Sequence, residues 1–522
     1  MSFVDISFGP MNSEFIDAYK KGEIQDGSAW GRWMGEEEIF EKEMLLYREN
    51  SGGWDAVMYT CDHPKDWEHY WLHAQFEIYL ASRGEIALMI EKAGYKFCGR
   101  NGLTSDTFDL PPGELYGITY WHLRRQREAM RMQSIGRKER SLGCIIGGAM
   151  GDAFGNPIEF LAIEGIRERY GADGLQEPIL IGGRYRITDD TQMTLLTADG
   201  MLFAYTKWCT DAYADLPSRY VYGRYRRWAR LQGFGIDGDA ESDSWLFDDP
   251  AMYTERSPGN TCIRELQRYG EPAKIGSPRN GSKGCGGLMR VAPAGLFCDQ
   301  RMMSVKWAAD IAASTHGHPF GYMTAGMLAA IIHYIMEGED LRQSISDAGS
   351  TCMDYFKDPD MDDLCRIVDR AVKLSESSKG DAECMRELGE GWVAEETLAM
   401  AVFSCLRHSD DPKQCLRCAV NVTGDSDSIG SVAGNIIGAY LGIDRIRKAF
   451  DVSKLECIDK MEIIAADLVS GYPEWNDGPA DPYWDDKYIH CRNPYREVSN
   501  RSLPHIWSRF PSKGWCILSF GM

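Results

Sequence analysis

Two short segments hold the side chains best suited to chemistry. Thr188-Asp189-Asp190 and Asp425-Ser426-Asp427-Ser428 each set two aspartates one or two residues apart beside hydroxyls, just ahead of an apolar helical pattern. Asp, Ser and Thr are ordinary helix caps, but capping needs only one such residue. Uncompensated carboxylates this close repel, and one pKa rises. A hard divalent cation removes the repulsion and prefers carboxylate and hydroxyl oxygen. Two such segments, each leading into a helix, point to one cation centre.

Three further stretches qualify as site material. Gly151-Asp152-Ala153-Phe154-Gly155-Asn156-Pro157-Ile158-Glu159 closes a glycine-rich helix, and Gly155 with Pro157 suits a helix stop followed by a turn that can bring Glu159 towards the cations. Pro278 to Arg290 contains Lys283-Gly284-Cys285-Gly286-Gly287, a loop that either turns N–H groups towards an anion such as a diphosphate or is simply flexible. It lacks the spacing of a P-loop, and no dinucleotide fingerprint follows a strand. His316, in Thr315-His316-Gly317-His318-Pro319, either contacts substrate or is a satisfied turn histidine; as zinc ligands this pair lacks a third partner.

The elements that must position these residues read as helices. Leu142 to Met150, Thr191 to Tyr205, Met303 to Ala313, Tyr322 to Met336, Ala394 to Leu406 and Ile429 to Leu441 carry helical apolar patterns, and few segments alternate with period two. Gly143, Gly147, Gly151 and Gly155 recur every four residues, as do Gly430, Gly434 and Gly438. Residues four apart share a helix face. Glycine inside a helix costs about 1 kcal/mol against alanine, so each stripe implies a close backbone approach that compensates. Asp152 and Asn435 interrupt these segments, which argues against a membrane GxxxG pairing.

The whole chain narrows the class. Its 522 residues carry 57 basic and 78 acidic side chains, a net charge of −21. That balance opposes a nucleic-acid binder, which needs Lys and Arg to displace counterions, and opposes adhesion to an anionic membrane. Sixteen scattered cysteines are too sparse for a disulfide scaffold and suit reduced, buried thiols in a cytoplasmic protein. The single CxxC, Cys415 to Cys418, has no second pair to complete a four-thiolate zinc site. The first residues show no signal-peptide pattern. Thr324 to Met336, the longest mainly apolar stretch, is too short to span a bilayer and contains His333.

Three zones follow: 1–140, an extension with six of the fifteen tryptophans; 141–450, the chemical domain; and 451–522, rich in Trp, Tyr and Pro and expected to be irregular but ordered. In the first, Glu36 to Tyr47 and Trp67 to Ala93 read as amphipathic helices. Arg124 to Arg140, with seven basic and two acidic residues, reads as a solvated helix or a docking strip for an acidic partner.

In order along the chain, SLGCIIGGAMGDAFGNPIEF, ITDDTQMTLLTADGML, SPGNTC, NGSKGCGGLMRVAPAGL, STHGHP, GWVAEETLAMAVF and NVTGDSDSIGSVAGNIIGAYLG make residues 141 to about 450 resemble the ADP-ribosylglycohydrolase family. The resemblance implies a mostly α fold: a compact all-α domain around two Mg²⁺ ions, with Mn²⁺ as the alternative. It assigns Thr188, Asp189 and Asp190 as one ligand set and Asp425, Asp427 and Ser428 as the other, Ser428 standing where many members have Thr. It places Asp190, Asp427 and Glu159 as the groups for proton transfer, and Asn156, His316 and the Lys283–Gly287 loop on the substrate side. The implied reaction is hydrolysis of the bond between ADP-ribose and a protein side chain, arginine favoured because SPGNTC and NGSKGCGG look closer to arginine-directed members. Two other readings stand beside it: a divalent-metal phosphoester hydrolase using the same aspartates, and an immunity protein whose residues 1–140 bind an ADP-ribosyltransferase toxin. A member without activity is disfavoured, because all six ligand positions carry oxygen.

Overall fold

The computed structural model describes residues 44–50, 53–59, 76–79, 115–117, 121–210, 215–236, 243–471 and 483–494, with side chains from residue 136 onward. The chain divides into two compact units, and the larger spans Ser134–Pro511.

The smaller unit carries an antiparallel sheet where helices were expected. Strands β1 (Met44–Asn50), β2 (Gly53–Tyr59), β3 (Phe76–Tyr79) and β4 (Leu115–Gly117) lie in the order β3-β2-β1-β4. Asn50 pairs with Gly53, so two residues join β1 to β2. A two-residue Ser-Gly connection in the sequence favours a hairpin, and strands β1 and β3 overturn the helical spacing read into Glu36 to Tyr47 and Trp67 to Ala93. The rest of those two segments lies outside the described residues, as does most of the proposed partner-binding extension.

The larger unit is helical. In chain order it contains α1 (Trp121–Gly155) from Ser134 onward, α2 (Ile163–Tyr170), α3 (Asp189–Thr210), α4 (Pro217–Leu231), α5 (Asn260–Arg268), α6 (Ala292–Phe297), α7 (Arg301–Ala313) and α8 (Pro319–Met336). It continues with α9 (Leu341–Phe356), α10 (Asp360–Ser375), α11 (Asp381–Leu388), α12 (Ala394–Arg407), α13 (Pro412–Val420), α14 (Ser426–Leu441), α15 (Ile443–Ala449), α16 (Ile458–Ser470) and α17 (Trp484–Tyr488). All six expected helical stretches lie inside helices. Helices α9 and α10 went unread although Leu341, Ile345, Ala348 and Cys352, and Met361, Leu364, Val368 and Ala371, form buried stripes at helical spacing.

Helix α8 is the centre of the core. Pro319 at its first turn is pre-set for helix, and the His318 ring accepts a hydrogen bond from Phe320 N at 3.0 Å. This extra turn takes the helix to 18 residues, apolar enough by length and composition to cross a membrane, which the shorter sequence reading denied. It is instead 89% buried, packed on α7, α9, α6, α12 and α14. Each large aliphatic buried there stabilises the fold by about 1.5–3 kcal/mol.

The described parts of residues 451–522 are more regular than their composition suggested. Helix α16 is amphipathic, and α17 buries Trp484 and Tyr488. Trp484 Nε1 donates to Thr206 Oγ1 at 2.9 Å, and Tyr488 OH donates to Asp467 Oδ2 at 2.6 Å, so the aromatic tail seals α3 and α16. The basic stretch ending at Arg140 lies in α1. Arg137 pairs with Glu337, and Arg140 donates to the carbonyls of Ala439 and Tyr440 at the C-terminal end of α14. A cation there complements the helix dipole.

Helices α1 and α14 bring the two halves of the site together. Their glycine stripes face one another in antiparallel register, Gly143 at Gly438, Gly147 at Gly434 and Gly151 at Gly430. A β-carbon added to any of these six would collide with the opposing backbone carbonyl. The stripe therefore ends with the turn after Gly155 against Ser426 and Asp427, the first residues of α14.

Candidate active site

Five carboxylates meet where α1 ends and α3 and α14 begin. Asp189 and Asp190 start α3, Asp425 caps α14, Asp427 lies in its first turn, and Glu159 follows the 3-10 turn Asn156–Ile158. The four aspartates are buried. Carboxylate oxygens of Glu159, Asp425 and Asp427 lie within 4.8 Å of one another.

Local hydrogen bonds fix the cluster. Asp425 Oδ1 and Asp427 Oδ1 both accept from Ser428 N, at 3.3 and 3.0 Å. Ser428 Oγ reaches across to Asp190 Oδ1 at 3.4 Å, linking the two segments. Thr188 Oγ1 accepts from Asp190 N at 3.3 Å and so caps α3. Asp189 Oδ2 accepts from Gly259 N at 3.3 Å, which brings SPGNTC to the centre. Gly424 has φ +122°, and Asp425 N donates to Glu390 O at 2.9 Å. A side chain at position 424 would run into Glu390 O, so glycine is required there.

Asp152 is the site residue that the sequence reading missed, noticing it only as a break in an apolar helix. Its buried carboxylate accepts from Thr188 N and Thr191 N at 2.9 and 3.2 Å and from the Thr191 hydroxyl. It thus holds the first turn of α3 from behind. The available signal was a single charge inside a glycine-rich apolar helix, because a buried charge must be answered by donors.

The electrostatics call for a cation. Burial drives Asp189, Asp190 and Asp427 well above the usual carboxylate range, and neighbouring carboxylates push the same way. Burial, with Asp425 nearby, raises Glu159 to about 8, and burial raises Asp152 to about 6. Asp190 Oδ2 is buried and has no hydrogen-bond partner among the described residues. Hard oxygen donors, mutual repulsion and an orphaned acceptor fit a divalent ion held by Asp189, Asp190, Asp425, Asp427 and Glu159, with Thr188 and Ser428 hydroxyls beside them.

A pH prediction follows. Carboxylates raised in the folded state bind protons there that the unfolded chain has released, so each favours folding below its unfolded pKa and loses that contribution as pH rises through its folded value. The chelator-treated protein is expected to lose stability between about pH 4 and pH 8, the window bounded by ordinary carboxylates and by Glu159 at about 8. Added Mg²⁺ then raises Tm more at pH 8 than at pH 5, because ligands must be deprotonated. A larger Mg²⁺ effect at pH 5 would contradict this account of the cluster.

The substrate-side residues are placed as follows. Lys283 pairs with Glu395, and its carbonyl accepts from Ala394 N at 2.8 Å. Gly284 N donates to Ser282 Oγ and Cys285 N to Trp392 O, so these two amides are turned into the protein. Cys285 Sγ donates to Asp425 Oδ2 at 2.7 Å, which puts the loop directly on the carboxylate centre. His316 is buried under Gly284, Gly286 and Gly287 and bonded to Thr315 Oγ1. Burial and the nearby Arg290 charge depress it to about 3, so it is neutral and supports the loop from below. Arg290 is itself fully buried, donating to Thr315 Oγ1 at 2.6 Å and to Ile311 O at 3.3 Å. Asn156 Nδ2 donates to Arg186 O at 3.1 Å, bracing the approach to Thr188. Phe160 (φ +65°) and Trp392, both exposed, stack with ring centroids 5.5 Å apart beside Glu159 and the loop; the sequence reading did not single out this pair.

A helical domain whose carboxylates converge at two helix starts has the donor set of a divalent-metal site. The ADP-ribosylglycohydrolase profile matches residues 133–478, and the chain belongs to that family. It is 25% identical over 335 residues to the ADP-ribosyl-[dinitrogen reductase] glycohydrolase of Rhodospirillum rubrum, covering 62% of this chain and 93% of the relative. It is 30% identical over 226 residues to human ADP-ribosylhydrolase ARH3, covering 38% of this chain and 61% of that protein. A solved structure titled ADP-ribosylglycohydrolase-related protein complex aligns with 64% of this chain and 98% of its own, at 24% identity and a TM-score of 0.46.

Proposed function

We propose that this enzyme hydrolyses the N-glycosidic bond joining ADP-ribose to an arginine side chain of a modified protein, with two Mg²⁺ ions in the carboxylate centre. The observation that carries the reading is the convergence of Glu159, Asp425 and Asp427 within 4.8 Å, with Asp190 joined to them through Ser428 Oγ and its Oδ2 without a hydrogen-bond partner among the described residues. When bound, the ions polarise a water and orient ribose hydroxyls. Glu159, Asp190 and Asp427 are the groups placed to take a proton from water or to return one to the departing side chain.

The test is incubation with Mg²⁺ and proteins ADP-ribosylated on arginine or on serine, with ADP-ribosylated DNA as a third substrate. The expected products are intact ADP-ribose and unmodified arginine. Release of inorganic phosphate would favour the phosphoester reading instead, and cleavage of serine linkages alone would overturn the arginine assignment.

A further inference from the structure

A second cluster of ligand-type side chains lies apart from the carboxylate centre. Asp381 opens α11, His408 closes α12 and Cys418 sits in α13. One ligand atom from each, a carboxylate oxygen, an imidazole nitrogen and a thiol sulfur, fall within 4.8 Å of one another. His408 Nε2 is 2.8 Å from Asp381 Oδ2. Asp381 Oδ1 accepts from Arg407 Nε at 3.1 Å, which fixes the carboxylate from its outer side. Arg407 also donates to the carbonyls of Ser375, Ser377 and Lys379, so the loop leading to Asp381 is held in place. Asp381 and His408 are partly open to solvent, which leaves a path of entry.

The geometry points to a site for a borderline-soft divalent ion of the zinc class, held by Asp381, His408 and Cys418 with water completing the shell. Mixed N, S and O donors select zinc-like ions over the hard ions suited to the all-oxygen carboxylate centre. The Arg407 bond to the far oxygen of Asp381 is the kind of outer contact that orients a ligand. Binding releases the Cys418 thiol proton to solvent, and the thiolate bonds the ion. The ion would clamp α11, α12 and α13 together. Helices α12 and α13 pack on α14, which carries Asp425 and Asp427.

The experiment uses the full chain, stripped by chelator and titrated with Co²⁺ as the probe. The expected result is a thiolate-to-cobalt charge-transfer band that Cys418→Ser and His408→Ala abolish. Cys285→Ser must leave the band intact, because Cys285 is the thiol at the carboxylate centre. Absence of the band in the unaltered protein, or its survival in Cys418→Ser, overturns the assignment. Zn²⁺ is likewise expected to raise the Tm of the unaltered chain more than that of Cys418→Ser, which keeps the carboxylate centre, with the two matching in metal-free melts; an equal Zn²⁺ shift in both would also refute it.

Discussion

Replacing Asp427 by asparagine is expected to lower ADP-ribose release on the order of 10³-fold, equivalent to about 4 kcal/mol of transition-state stabilisation, while the metal-free protein melts no lower than before. The two halves of that result come from one geometry. Asparagine keeps the shape of the side chain and an oxygen to accept from Ser428 N, the bond that Asp427 Oδ1 makes at 3.0 Å. What it removes is a charge that burial, Asp190, Asp425 and Glu159 all make costly. Without a cation that charge opposes folding, so its loss leaves the chelated protein equal or more stable. With a cation the same charge is a ligand, so the Mg²⁺-dependent rise in Tm shrinks. Activity assays and paired melts with and without Mg²⁺ check both halves. Activity within a few-fold of the unaltered enzyme, or a metal-free Tm that falls together with activity, would remove Asp427 from the site as described.

Much of this carboxylate cluster was visible in the sequence because its aspartates are grouped locally. Thr188 to Asp190 and Asp425 to Ser428 each lie within one helix start, so spacing alone exposed them. The glycine stripes likewise gave the helix face, since residues four apart must share it. Residues that act from a distance in sequence were harder to see. Asp152 supports α3 from another helix, and Glu395 meets Lys283 only through tertiary packing. His316 illustrates the opposite limit: a loop histidine looks available in sequence, yet three glycines settle over it and burial keeps it neutral. Strands β1 and β3 were misread as helix because three- and four-residue apolar spacing also occurs by chance in short strands, and the two-residue Ser-Gly connection between β1 and β2 was the unread signal in the sequence.

The second large effect concerns Gly151, where alanine is expected to destabilise the fold by about 3 kcal/mol or more, at the upper end for overpacking. Helix propensity alone predicts the reverse, since alanine is favoured over glycine inside a helix by about 1 kcal/mol. The deciding feature is the opposing backbone. A β-carbon on Gly151 meets Gly430 O and C, atoms that cannot rotate away as a side chain would. The control is Gly165 within α2, where an added β-carbon meets nothing within 4 Å. Gly165→Ala is expected to hold or slightly raise stability by the same propensity argument. Denaturant midpoints for the two variants provide the comparison, and equal stability in both would dismiss the close approach of α1 and α14. The consequence reaches the chemistry as well. Pushing α1 off α14 moves the Gly155–Glu159 turn away from Asp425 and Asp427, so Gly151→Ala should also need more Mg²⁺ for half-maximal activity. A variant that is destabilised yet has an unchanged Mg²⁺ requirement would show that the glycine contact supports the fold without setting the spacing of the ligands.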